Sequence, residues 1–171
     1  MSDLITIDVD SRQASSVLGR LRARLQDPRQ LMRRLQPILE NAIETSARTE
    51  RAIDGSPWAA LAPSTLEQKR RLGYGNKRIL ERTGKSLESI EVAVVGSREI
   101  EISHNEIIEY HKRGGGNLPK RSPIPTEDDV ERGALTDEIE GTIDDYLNPN
   151  LGDFLSSEVA RLPLLGRVFR A

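Results

Sequence analysis

The segment from Gly55 to Ile90 constrains the fold of this chain more than any other part of the sequence. It contains the only tryptophan, Trp58, which follows two helix-breaking residues, Gly55 and Pro57. An indole ring is usually buried, because its large apolar surface is costly to expose to water. We therefore predict that Trp58 is a packing anchor, held in a loop over the start of the next helix.

That next helix is predicted to begin in the turn Pro63–Thr65 and to end near Leu72. Ser64 is its predicted N-cap, and Glu67, three residues later, completes the pattern of a capping box. The glycines that follow Leu72 predict a flexible break before the chain enters its next element.

The same segment carries a series of residues in a characteristic order: a Pro-Trp pair, a Pro-Ser-Thr turn, a lysine, and an Ile-Leu pair before Thr-Gly. The matching residues are Pro57, Trp58, Leu61, Pro63, Ser64, Thr65, Lys69, Ile79, Leu80, Thr83, Gly84, Leu87, Ser89 and Ile90. In this order and spacing the chain resembles the phage virion morphogenesis family, which covers Mu-like and tail-completion proteins. The resemblance extends roughly from Leu4 to Leu147.

The resemblance implies an α+β fold, with a small antiparallel sheet that contains a β-hairpin and is flanked by several helices. It also implies a structural virion protein that is not an enzyme and needs no cofactor. Such proteins form a homo-oligomeric ring, expected here to be a hexamer, at the head–tail junction or the upper end of the tail. They act in tail completion and head–tail joining.

The resemblance further implies which partners the chain meets. These are the neighbouring connector or stopper proteins and the tail tube, while DNA only passes through the lumen of the ring and no membrane is involved. The protein would be made in the cytoplasm of the bacterial host and would end in the neck or tail of the virion.

A second, looser part of the resemblance lies after the predicted hairpin. The family's pattern Tyr-Ala-x-x-His-Gln-x-Gly, followed by Pro-x-Arg, is matched here by Tyr110, His111, Gly114, Pro119 and Arg121. The resemblance implies that three of these side chains, those of the tyrosine, histidine and arginine, are interface residues. The family's Pro-Phe-Leu-Gly is missing, so the contact that this motif makes is not predicted for this chain.

Composition limits the alternatives. Of the 171 residues, 36% are hydrophobic and 30% are charged, which predicts a thin core for this length and some apolar surface that neighbouring subunits cover. There is no cysteine, so neither disulfides nor thiolate metal sites are expected. The first residues lack the pattern of a signal peptide, and no apolar run approaches the length of a membrane span.

Charge is segregated along the sequence. Residues 67–85 contain seven basic and two acidic side chains, whereas residues 127–145 contain nine acidic and one basic. Two solvated faces explain this pattern, and so does charge matching between adjacent copies or with partners. The basic stretch Lys69–Arg78 also leaves open an alternative function, that of a nucleic-acid-associated assembly factor or a small binding module.

Hydrophobic periodicity predicts the remaining elements of the first half. Alternation predicts a strand from Leu4 to Asp10, and a stripe of Val17, Leu18, Leu21 and Leu25 predicts a helix from Ser11 to Gln26. A second helix is predicted to begin with Asp27 as N-cap and Pro28 in its first turn and to end near Asp54. Pro37 is expected to kink or divide this helix.

In the second half, alternating apolar residues predict a β-hairpin whose strands flank the turn Val95–Arg98. The run Asn105–His111 is compatible with one helical turn or a loop. Residues 114–125, rich in glycine and proline, predict a long loop that has little to bury and is ordered by assembly contacts. Thr126 and Asp129 predict the start of one last helix, which Asn148 ends.

Motifs for catalysis or metal binding are weak. His104 and His111 lie seven residues apart with Glu109 between them, but no tight ligand spacing is present. The acidic residues that follow Thr126 are better explained by the dipole at a helix N-terminus than by a nuclease site. We therefore expect no enzyme activity and no metal site.

The C-terminal segment is predicted to be separate from the main domain. Residues 1–148 form the α+β domain in this interpretation, and residues 149–171 form an apolar extension for assembly contacts. Its candidate interface residues are Phe154, Leu155, Leu164, Leu165 and Phe169. The competing interpretation is that the extension folds back on its own domain.

Overall fold

The computed structural model describes residues 11–81 and 84–148. Within them, six helices and one two-stranded antiparallel sheet form an α+β arrangement, which confirms the predicted fold class. The elements are α1 (Ser11–Gln26), α2 (Arg29–Thr49), α3 (Pro63–Arg71), β1 (Glu91–Val95), β2 (Glu99–Ser103), α4 (Glu106–Arg113), α5 (Glu127–Glu131) and α6 (Thr136–Leu147).

Helix α2 is the central element, and it packs against the hairpin and against α6. Its buried apolar residues, Leu31, Ile38 and Ile43, fall on one broad side of the helix. Pro37 was predicted to kink this helix or to divide it. It lies inside the helix, so the predicted division is wrong. The proline is exposed, and its ring lies on the side of the helix away from the core.

Both ends of α2 differ from the prediction. The N-cap is Pro28, and Asp27 Oδ1 accepts a hydrogen bond from the Arg29 amide at 3.3 Å, so the cap lies one residue later than expected. The helix ends at Thr49 because Glu50 adopts a left-handed conformation, with φ of 55°. The predicted end near Asp54 is therefore several residues too late.

The β-hairpin is confirmed. Val92 lies opposite Ile102, and Gly96 turns the chain with φ of 72°, a conformation that glycine adopts without a steric penalty. Gln36 Nε2 of α2 donates a hydrogen bond to the Val92 carbonyl at 3.1 Å, which ties the first strand to the central helix. Because Val92 is also buried, the hairpin is fixed to α2 by both packing and hydrogen bonding.

Helix α3 begins one residue before the predicted position. Pro63 occupies its first turn and Ala62 is the N-cap, which makes no side-chain capping bond. The predicted capping box of Ser64 and Glu67 is therefore wrong. Proline in the first turn lacks the amide hydrogen that a cap would satisfy and already has a helical φ.

The acidic region forms two helices instead of the single predicted helix. Thr126 and Asp129 begin the first of these helices, as predicted, and they form a capping box in which the Thr126 amide donates to Asp129 Oδ2 at 2.7 Å. Helix α5 nevertheless ends at Glu131, and α6 begins only at Thr136. Gly133 lies in the gap, and a Cβ there would approach the Asp129 Cα to 2.7 Å, so only glycine fits this turn.

Helix α4 is longer than the single turn or loop predicted for this region. Asn105 is its N-cap and accepts a hydrogen bond from the Ile108 amide at 3.2 Å. The Ile108 side chain is fully buried, which anchors the helix to the core.

The long loop after α4 has more to bury than its composition predicts. Residues 121–124 are all buried, and the Arg121 amide donates to the His111 carbonyl at 2.9 Å. Gly114, with φ of 63°, allows the chain to turn back, since a Cβ there would lie 3.1 Å from the Lys120 amide nitrogen. The expectation that this loop has little to bury within its own subunit is therefore wrong for its second half.

Helix α1 is joined to the end of α6. Arg24 Nη1 donates hydrogen bonds to the Tyr146 carbonyl at 2.6 Å and to the Leu147 carbonyl at 3.2 Å. The Arg24 guanidinium also lies 5.6 Å from the centre of the Tyr146 ring. The predicted strand at residues 4–10, Thr83 and the extension 149–171 lie outside the described residues.

Candidate functional site

The loop that carries Trp58 is closed by backbone hydrogen bonds. The Trp58 amide donates to the Glu50 carbonyl and the Ala52 amide to the Ser56 carbonyl, at 2.9 and 2.8 Å. Gly55 permits this turn with φ of 82°. The Trp58 side chain is only 7% exposed, so its predicted burial is confirmed.

Arg121 fastens the chain that follows Trp58. Its Nε donates to the Ala59 carbonyl at 2.7 Å, and its Nη2 donates to the Ala60 carbonyl at 2.9 Å. The residue is 5% exposed, and this burial lowers the pKa of its guanidinium, an effect that Glu50 partly opposes. Arg121 was predicted to be an interface residue, but the structure places it in the interior of the subunit.

Lys69 plays a similar part for the chain after α3. Its Nζ donates to the Lys77 carbonyl at 2.6 Å and to the Arg78 carbonyl at 2.9 Å, and the residue is buried. Glu50 Oε1 accepts a hydrogen bond from the Ile79 amide at 2.6 Å in the same region. One cation of the basic stretch, Lys69, therefore stabilises the chain that follows α3. Because it is buried, it is not available to contact nucleic acid.

Many family-motif residues meet at one open groove of about 580 Å³, which we call the α3–α4 groove. Its apolar lining comes mainly from the segments on either side of α3, residues 60–62, 72 and 79–80, and is completed by Ile107 of α4 and by Leu118 and Pro119 of the loop 114–125. The motif residues and candidate interface residues in its lining are Leu61, Thr65, Lys69, Ile79, Leu80, His111, Pro119 and Arg121. Leu72 and Ile107 also line the groove and are exposed, which the sequence did not indicate.

His111 lies between the groove and the interior. Desolvation by burial lowers the pKa of its imidazole, and the positive charge of Arg121 lowers it further. Its Nδ1 is buried and has no hydrogen-bond partner within residues 11–81 and 84–148. The neighbouring helical residue Tyr110 is exposed instead, so these two candidate interface residues have different environments.

The structure does not gather the histidines into a metal site. His104 Nε2 lies 3.7 Å from Glu109 Oε2, and His111 is not part of this pair. Among the described residues, no group of three or more histidines, cysteines, aspartates or glutamates is placed to hold a metal ion.

The other predicted residues lie apart from the α3–α4 groove. Pro57 and Trp58 line a second groove of about 680 Å³, together with Lys120, Ser122 and residues of α5. Ser64 is exposed, and Gly84 has φ of 81° beside a turn. Phe154, Leu155, Leu164, Leu165 and Phe169 lie outside the described residues, as does Thr83.

The two charged regions remain distinct in the structure. Arg70, Arg71 and Lys77 are exposed at and after the end of α3. The acidic side chains lie on α5 and α6, where Asp144 and Asp145 are exposed. Arg78 donates hydrogen bonds to Glu81 at 2.9 and 3.1 Å, and this hydrogen-bonded ion pair raises the pKa of the guanidinium and lowers that of the carboxyl.

No helix of the described residues has the length and apolar character needed to cross a membrane. Neither the curated proteins nor the solved structures contain a match to the chain. The model of the phage virion morphogenesis family, however, matches residues 9–146, which is most of the sequence, and the chain therefore belongs to that family.

Proposed function

We propose that this protein is a structural, non-catalytic subunit that forms a ring at the head–tail junction or the upper end of a phage tail. The observation that carries the proposal is the family match over residues 9–146. In that position the ring serves tail completion and head–tail joining, contacts neighbouring neck and tail proteins, and lets DNA pass through its lumen.

The α3–α4 groove supports an interface between copies of this chain. Leu72 and Ile107 are exposed beside it, and apolar side chains in such a position lower the free energy when a neighbour covers them. The exposed cations at the end of α3 complement the acidic surface of α5 and α6. A head-to-tail contact between these two regions repeats around a closed ring, as cyclic assemblies require.

We also propose that the last part of the extension 149–171, the residues after Pro163, contributes to assembly. Among these residues, Leu164, Leu165 and Phe169 are suited to contacts with an adjoining ring or neighbouring protein because they are apolar.

The first test is the mass of the purified protein in solution, measured by native mass spectrometry over a range of concentrations. We expect a closed oligomer of constant mass; a hexamer would have about 115 kDa, six times the 19.1 kDa of one chain. A monomer that persists at high concentration would contradict the proposed ring.

Charge reversal tests which surfaces meet. We expect the pair Arg70→Glu and Arg71→Glu to weaken the oligomer, and the pair Asp144→Lys and Asp145→Lys to do the same, because each places like charges opposite one another. Combining all four substitutions in one chain should restore assembly. Arg29→Glu with Arg33→Glu is the matched control, with the same change of charge at exposed positions of α2.

The same variants distinguish a ring-forming subunit from the alternative function, that of a nucleic-acid-associated assembly factor. A DNA-binding factor that uses Arg70 and Arg71 loses DNA affinity on their reversal, and its affinity falls steeply with salt. We expect no such salt-dependent binding in the wild-type protein, so its detection in a protein that stays monomeric would favour the alternative.

A further inference from the structure

Helix α1 presents an apolar stripe that the described part of the chain leaves largely open. Val17 and Leu21 are half-buried, whereas Leu18 and Leu25 are 63% and 54% exposed. These four residues, which we call the α1 stripe, fall on one side of the helix at spacings of three and four. Two leucines this exposed, two turns apart on one face, indicate a surface that another segment covers.

The end of α6 lies beside this stripe. Arg24, the residue before Leu25, donates hydrogen bonds to the carbonyls of Tyr146 and Leu147, the last two residues of α6. The chain therefore leaves α6 at the C-terminal end of α1. Only Pro149 and Asn150 separate Asn148 from Leu151, so the following segment reaches the stripe without a long connection.

The sequence of that segment fits the stripe. Leu151, Phe154, Leu155, Val159 and Leu162 recur at the three- and four-residue spacing of an amphipathic helix. Pro149 and Pro163 bound the segment, as is common at the two ends of a helix. Twelve helical residues extend about 18 Å, which is enough to cover the roughly 12 Å from Val17 to Leu25.

Charge also favours this occupant. The charged side chains of α1 are all arginines, at four positions. Residues 151–162 carry two acidic side chains and one basic, and Glu158 falls on the apolar side of the predicted helix. A glutamate at that position is unfavourable against a purely apolar surface but is compatible with a stripe that arginines flank.

We propose that residues 151–162 form a helix that docks antiparallel on the α1 stripe of the same chain. Leu151 then lies next to Leu25, and Val159 lies next to Leu18. The short connection gives the segment a high effective concentration at its own α1, which favours this pairing over the same contact with a second copy. The proposal does not depend on ring formation.

Engineered disulfides test the pairing directly in the full-length chain, because the natural sequence has no cysteine. The matched pairs are Leu25→Cys with Leu151→Cys, and Leu18→Cys with Val159→Cys. The control pairs are Leu18→Cys with Leu151→Cys, which is out of register, and Leu72→Cys with Leu151→Cys, which uses an exposed leucine elsewhere. A disulfide requires Cα atoms within about 7 Å. If the segment docks as proposed, only the matched pairs meet this distance, so they form a disulfide more readily than the control pairs.

We expect the matched pairs to form an intramolecular disulfide at least roughly ten-fold faster than the controls, as followed on non-reducing gels and by peptide mass spectrometry. Equal rates in all four pairs would show a segment that does not dock, and disulfides between two chains would show that a second copy occupies the stripe. Either result would overturn the proposal.

Amide hydrogen exchange gives a second readout without new cysteines. Leu155→Asp should speed exchange in α1, while Ser156→Asp, on the polar side of the predicted helix, should leave it unchanged. Unchanged exchange in both variants would contradict the docking. The oligomeric mass of each variant is measured in parallel, so that loss of the ring and loss of the docked segment are distinguished.

Discussion

The loop around Trp58 and the helix α1 are built in opposite ways. In the region of Trp58, two cations, Lys69 and Arg121, are buried and donate hydrogen bonds to backbone carbonyls of the same subunit. In α1, by contrast, Leu18 and Leu25 are exposed, and Arg24 joins the helix to the end of α6. Cations are thus internal in the first region and leucines are external in the second.

This difference distinguishes a region whose contacts are complete within residues 11–81 and 84–148 from one whose apolar face those residues leave open. A buried cation that donates to two backbone carbonyls stabilises one conformation of the loop, and removing it leaves those acceptors without their partner. An exposed apolar stripe contributes little to the subunit by itself and gains free energy only when it is covered. We therefore expect substitutions in the Trp58 region to change global stability and those in α1 to change local stability.

The largest effect is expected for Trp58→Ala. Loss of this buried ring removes its burial free energy and leaves a cavity, which together cost roughly 3–5 kcal/mol in the free energy of unfolding. Chemical denaturation measures this change. Trp58→Phe is the control: it retains most of the packing and removes an indole N–H that has no partner among the described residues, so its cost should be much smaller. An unchanged unfolding midpoint for Trp58→Ala would contradict the role of the ring as an anchor.

Arg121→Met comes next. The substitution keeps an apolar chain of similar length but leaves the carbonyls of Ala59 and Ala60 without their donor, and we expect a cost on the order of 3 kcal/mol. Arg121→Lys should recover only part of this loss, because one ammonium does not reproduce the two-pronged geometry of the guanidinium. Arg71→Met, at an exposed position, provides the baseline. If Arg121→Met matches that baseline, the two hydrogen bonds do not stabilise the subunit.

The sequence predicted the features that depend on neighbouring residues. The capping box of Thr126 and Asp129, the hairpin and the burial of Trp58 all have a local signature. The role of Arg121 has none, because its acceptors lie 61 and 62 residues away and are backbone carbonyls, which every residue possesses. From sequence alone, an arginine in a proline-rich loop is therefore predicted to be a surface residue.

Errors at helix ends have a different cause. Ser64 satisfies the sequence pattern of an N-cap, yet Pro63 already supplies a helical first turn, and the pattern does not distinguish the two starts. The prediction missed the break between α5 and α6 because apolar residues lie on both sides of it, at Val130 and from Leu135 onward. The turn at Gly133, where only glycine fits against Asp129, was the available signal.

Arg24→Met tests the second region. Loss of the hydrogen bonds to Tyr146 and Leu147 should cost about 1–2 kcal/mol, confined to the junction of α1 and α6. We expect faster amide exchange in α1 with little change in the hairpin or in α2, as local opening predicts. Arg33→Met, exposed on α2, is the control. A uniform increase of exchange throughout the chain would show that α1 is part of the global folding unit and would remove the contrast between the two regions.

The smallest effect is the dependence of stability on the protonation of His111. Burial, and secondarily the charge of Arg121, lowers the pKa of its imidazole below the ordinary value of 6.5, so the folded state favours the neutral ring. As pH falls below about 6.5, the unfolded chain binds a proton before the folded one does, and stability decreases through the window between the two pKa values.

His111→Gln should remove this part of the pH dependence, measured as the unfolding midpoint between pH 7 and pH 5. The carboxyls of Asp54 and Glu81 also have lowered pKa values, through hydrogen bonds with Ser56 and Arg78, but they lose their contribution only in the more acidic range where carboxylates protonate. The histidine window is therefore separable from theirs. If His111→Gln and the wild type have identical pH profiles, protonation of His111 is not the cause of any loss of stability between pH 7 and pH 5. That cause would then lie outside the α3–α4 groove.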